Sequence, residues 1–115
     1  MAAREFEIDE ISLIRCYSDI IDKAYPDGQR PSGMDPYGIA SFIQLENNAD
    51  FSDEVKNDFL KKAKDNLGVA LGKLYEKTQK PTDMIIYKPI IDGLESVENS
   101  QDFIRLLRTH YPDFE

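Results

Sequence analysis

The stretch SDEVKNDFLKKAKDNLGVALGKLYEKTQ, from Ser52 to Gln79, decides the fold class. Phe59, Leu60, Ala63, Leu67, Ala70, Leu71 and Leu74 recur at the spacing of one helical face. Lys61, Lys62, Lys64, Lys73 and Lys77 fall on the other side. Ser52 suits an N-cap, and Asp53 and Glu54 follow in the first turn, where the helix dipole favours acids. Uninterrupted, such a helix is about 40 Å long at 1.5 Å per residue. Gly68 and Gly72 complicate the reading, since each costs about 1 kcal/mol relative to alanine inside a helix. Gly68 either ends a first helix after Leu67 or, with Gly72 and Tyr75, forms a face that lets another backbone approach. That face, Gly68, Gly72 and Tyr75, is a candidate for self-association. Its lysine-flanked setting is not that of a membrane dimer motif.

Shorter amphipathic segments flank this one. Leu13, Ile14, Tyr17, Ile20, Ile21 and Ala24 form a stripe within a helix predicted over Asp9 to Ala24, which Pro26 stops. Tyr25 to Gly33, rich in proline and glycine, reads as a loop. Asp35-Pro36 predicts the start of a second helix, with Asp35 as cap, ending at Asn47-Asn48. Thr82 or Asp83 is a possible cap for the segment after Pro81. Pro89 would clash with the carbonyl of Ile85, so the sequence favours a short turn, a kink, then a helix over Ile90 to Val97. Asn99 or Ser100 caps a last helix carrying Phe103, Ile104, Leu106 and Leu107. The expectation is an all-α single domain over residues 1–115, a small bundle of four to five helices around one long central helix. Residues 1–8 are expected to form a flexible lead.

Charge narrows the function. The chain of 115 residues carries a formal charge of −8. Residues 1–50 hold 10 acids and 4 bases, residues 51–80 hold 5 acids and 7 bases, and residues 81–115 hold 7 acids and 3 bases. Acidic flanking helices either pack beside the basic central one and offset it, or present their charge to a basic partner. Net acidity argues against nonspecific nucleic-acid or anionic-membrane binding. No stretch has the length and apolarity of a membrane span. The N-terminal residues lack the apolar run of a signal peptide, and Cys16 has no partner for an intrachain disulfide, so a reducing cytoplasm is the expected compartment. Cys16 reads as a buried structural thiol.

The catalytic inventory is thin. His110 is the single histidine, placed to meet the last carbonyls of its helix, and the His and Cys count is too low for a zinc site. No metal or cofactor is expected. Asp92, Glu95 and Glu98, like Asp19 and Asp22, follow at helical spacing and read as solvated faces. A carboxylate-based, metal-dependent enzyme is the remaining catalytic alternative. Aromatic residues beside acids can anchor an interface, and Tyr87 with Asp83, Asp92 and Glu95 forms the candidate partner-binding patch.

Pro81-Thr82-Asp83-Met84-Ile85-Ile86-Tyr87-Lys88-Pro89 resembles the Asp-aliphatic-Ile-Tyr-Tyr-Pro segment by which colicin-nuclease immunity proteins, small acidic four-helix proteins, meet their nuclease. The likeness covers less than a third of the chain. One extra residue precedes the proline, Lys88 stands where the family has a second tyrosine, the Trp-Arg pair is missing, and the first fifty residues do not fit. It therefore assigns no family. The function expected from size, charge and inventory is an interaction module, of inhibitor, immunity or antitoxin type, that binds a basic protein. The alternative is a helical subunit or assembly adaptor that self-associates.

Overall fold

The sequence folds into five helices, seen in a computed structural model that describes residues 6–112 and 114. Helix α1, Ile8–Ala24, opens where the Glu7 N–H donates to Glu10 Oε1 at 2.9 Å. A single 3-10 turn, Pro26–Gly28, follows. Helices α2, Gly38–Glu46, α3, Asp53–Lys77, α4, Pro81–Leu94, and α5, Ser100–His110, complete the chain. The protein is all-helical, with the other helices arranged about the long α3, and the described residues contain no strand. Helix α3 packs against α1, α2 and α4; α5 closes the bundle against α1, α2 and α4. No helix is long and apolar enough to cross a membrane among the described residues.

The predicted stripes build the core. Leu60, Ala63, Leu67, Ala70 and Leu71 of α3 are buried against Leu13, Tyr17, Ile20 and Ile21 of α1, Ile39, Phe42 and Ile43 of α2, Ile90 and Leu94 of α4, and Phe103, Ile104 and Leu107 of α5. Cys16 is buried among them. Fully buried aliphatic side chains contribute about 1.5–3 kcal/mol each. Tyr17 brings its hydroxyl into this interior and donates to the Ala63 carbonyl at 3.1 Å, joining α1 to α3. Burial pushes its phenol well above the ordinary range.

Helix α3 runs through both glycines without a break, capped by Ser52, whose Oγ accepts from the Val55 N–H at 3.3 Å. Apolar burial on its inner face outweighs the glycine cost. Asn99 caps α5, accepting from the Asp102 N–H at 2.9 Å.

Three expectations need correction. Asp35 does not cap α2: its Oδ1 accepts from the Tyr37 N–H at 2.8 Å, an Asx turn that delays the helix to Gly38. Neither Thr82 nor Asp83 caps α4. Lys80 is its N-cap and Pro81 stands in the first turn, where its missing N–H is harmless. The turn expected before Ile90 is absent, because α4 runs from Pro81 to Leu94 with Pro89 inside it. The spacing Ile86, Ile90, Leu94 keeps one face of α4 on the core. That burial holds the helix although Pro89 cannot donate to Ile85. As to the expected N-terminal lead, residues 1–5 lie outside the described residues; Phe6 packs on the core and Ile8 is already helical.

Candidate functional site

The predicted patch is divided by the helix that carries it. Asp83 and Tyr87 are one turn apart on α4, while Asp92 lies about half a circumference round from Asp83 at 3.6 residues per turn. Asp83 accepts from the Thr78 hydroxyl at 3.0 Å and so closes the α3–α4 turn. Tyr87 is half-buried on the core. Its phenol is raised by burial and by the Asp83 charge, with Lys23 and Asp19 of α1 also in range. Tyr87 thus lies within electrostatic range of α1, one turn along α4 from Asp83. Asp92 is exposed and takes the Lys88 ammonium at 3.0 Å. Glu95, beyond the end of α4, faces a different surface.

The α1 side holds a polar joint that sequence inspection did not single out. The Lys23 ammonium donates to Tyr111 Oη at 2.9 Å, and the Tyr111 hydroxyl donates to Asp19 Oδ2 at 3.1 Å. Lys23 also meets Asp19 directly at 3.1 Å. Burial pushes the Tyr111 phenol up to about 12, against the opposing pull of Lys23. Only the i, i+4 spacing of Asp19 and Lys23 is visible in the sequence; Tyr111 arrives from the far end of the chain. The arrangement fastens the end of α5 to α1.

The small-residue face is also divided. A Cβ at Gly68 would meet Leu94 Cδ1 at 3.5 Å, so this position is turned to α4 of the same chain. A Cβ at Gly72, one turn further, would meet nothing within 4 Å. Tyr75 is half-buried beside them. The tightest glycine contact is at another position, Gly93, where a Cβ would stand 2.5 Å from Leu106 Cδ1 of α5.

An open groove of about 1240 Å³ lies at the seam of α3 with the end of α4. Its apolar lining is Leu60, Gly68 and Val69 from α3, Ile91 and Leu94 from α4, and Val97 from the turn that follows. Val69 is 53% exposed and also lines the neighbouring concavity on the other side of α3. Lys61, Lys64, Asp65, Glu95 and Glu98 form the rim. The groove thus takes one residue from each predicted set, Glu95 and Gly68, and leaves Asp83, Tyr87, Asp92, Gly72 and Tyr75 outside its lining.

Long-range caps shape the rim. Lys64 donates to the carbonyls of Glu95 at 3.1 Å and Val97 at 2.9 Å, satisfying main-chain acceptors where α4 ends. Glu46, at the end of α2, accepts from the Ser100 N–H at 2.8 Å and from its hydroxyl, at the N-terminus of α5. A cation at a helix C-terminus and an anion at a helix N-terminus both have the sign the dipole favours. Lys64 is thereby held in place, and the three acids Asp65, Glu95 and Glu98 outnumber the two lysines of the rim, Lys61 and Lys64.

Among the described residues, no group of three or more His, Cys, Asp or Glu side chains gathers where it could hold a metal ion. His110 is half-buried and lines a small recess with Gly93, Asp102, Arg105 and Leu106. Comparison with protein-family models, with curated proteins and with solved structures returns no match.

Proposed function

We infer that the protein is a small interaction module that binds a basic protein partner through its acidic surface. An inhibitor or antitoxin-type role suits its size and charge. The carrying observation is the map of ion pairs. Among the described residues, no α3 lysine meets a carboxylate of another helix. Lys62 pairs within its own helix, with Asp58 at 3.6 Å. Lys64 takes main-chain carbonyls, and Lys73 lies 4.1 Å from the ring centroid of Tyr25. The acidic flanks are therefore not neutralised by contact with the basic helix, and their charge stays available to an outside partner. Electrostatic complementarity of this kind mainly sets encounter rate and specificity.

The test is retention of cellular proteins on the immobilised chain at about 50 and about 500 mM NaCl, a range over which exposed charge interactions are progressively screened. The expected result is a specifically retained basic protein, identified by mass spectrometry, that is released at high salt. Retention dominated by acidic proteins, or indifferent to salt, would overturn the reading.

A further inference from the structure

We propose that the groove between α3 and the end of α4 is the docking site for an amphipathic helix of the partner, apolar on one face and flanked by lysine or arginine. This rests on the acidic-module reading above and gives it a location.

The groove is lined on one side by Asn57 to Val69 of α3 and so runs for about 18 Å at 1.5 Å per residue, about three helical turns. Val69, on the outer wall that α3 contributes, and half-buried Ile91 of α4 offer apolar anchors of the kind a helix meets at i and i+4. Gly68 keeps the floor low. At 3.5 Å from Leu94, a Cβ there would make only ordinary contact, so α4 packing does not require glycine. A helix interior disfavours glycine by about 1 kcal/mol. What glycine at this position does provide is depth. The occupant's charge follows from the rim and the chain around it: Asp65, Glu95 and Glu98 outnumber Lys61 and Lys64, whose ammonium is turned to the Glu95 and Val97 carbonyls, in a chain of net charge −8. A second copy of this chain would bring a charge of −8 against those acids.

The test uses two synthetic helical peptides, one with leucines on one face and lysines on the other, and a counterpart with glutamate in place of lysine. Titration of the isotope-labelled protein is followed through its amide resonances. The lysine peptide is expected to shift Gly68, Val69, Ile91 and Glu95 selectively, and the glutamate peptide to leave them unmoved. Val69→Lys and the double variant Glu95→Lys/Glu98→Lys, all at exposed positions, are expected to weaken binding by at least about tenfold with unchanged thermal unfolding. Lysine-peptide shifts spread over α1 and α5, and insensitive to Val69→Lys, would overturn the groove while leaving the acidic module standing. No binding of the lysine peptide even at low salt, or equal binding of both peptides, would overturn both. A concentration-dependent dimer abolished by Val69→Lys would overturn the proposal by assigning the groove to a second copy.

Discussion

At the scale of single residues, the glycines separate by what surrounds them. Gly72→Ala adds a methyl group into open space and removes a poor helix former. It should raise stability by about 0.5–1 kcal/mol and the melting temperature by roughly 2–4 °C. Gly93→Ala puts a methyl group on Leu106 and forces that side chain aside. The expected cost is about 1–3 kcal/mol, and Gly93→Ala should cost much less when made on a Leu106→Ala background; a denaturant-melt double-mutant cycle reads the coupling. The sequence shows that Gly68 and Gly72 share a face but not which of them another helix covers, because that depends on where α4 lands. The tight fit of Gly93 against Leu106 is equally invisible there, because it depends on where α5 lands. Lys64 appeared as one lysine among several on a solvated face; nothing local reveals an acceptor that arrives some thirty residues later.

At the scale of elements, the helices and their inner faces were legible because burial repeats at the helical period. Cys16 and the Ser52 cap were legible for equally local reasons, and the cap of α5 was narrowed to Asn99 or Ser100. Legibility failed where a short-range rule met a long-range contribution. Pro89 is the case in point: locally it argues for a break, yet burial of Ile90 and Leu94 carries α4 through it. Pro89→Ala restores a main-chain donor toward Ile85 and should stabilise the protein by about 1–2 kcal/mol. The measurement is the urea midpoint at unchanged slope. A lower midpoint would mean that packing of the proline ring contributes more than the missing bond costs. The α1–α5 joint makes a pH prediction. Burial raises the Tyr111 phenol above its ordinary value of 10.0 to about 12. A raised value favours the neutral phenol in the folded state, so this contribution is complete below about pH 10 and lost as pH rises towards about 12. Lys23 is raised as well, chiefly by its bond to Tyr111, and shifts stability in the same direction. Tyr111→Phe should lower stability near neutral pH by about 1 kcal/mol and flatten this alkaline decline.

At the scale of the whole molecule, an elongated body of 47 × 29 × 22 Å carries a charge of −8. Its ion pairs are mostly exposed and mostly within single helices, a class that contributes little. Self-repulsion should therefore outweigh them, and added salt should raise the melting temperature by a few degrees between about 20 and about 300 mM. A fall over the same range would mean that the pairs dominate. The candidate site was not legible at this scale, because a groove is a relation between two helices and the loop that joins a third.

Lys64 and Glu46 hold the α4–α5 turn from helices far away in the sequence, and this has a kinetic consequence. Each bond joins residues far apart in the sequence, Lys64 of α3 to the end of α4 and Glu46 of α2 to the start of α5, so the turn is expected to close late in folding, after the barrier. Lys64→Met and Glu46→Gln should leave the refolding rate nearly unchanged and speed unfolding, the signature of φ values near zero. The last helix would then be the first to leave, opening the bundle from its own C-terminal side.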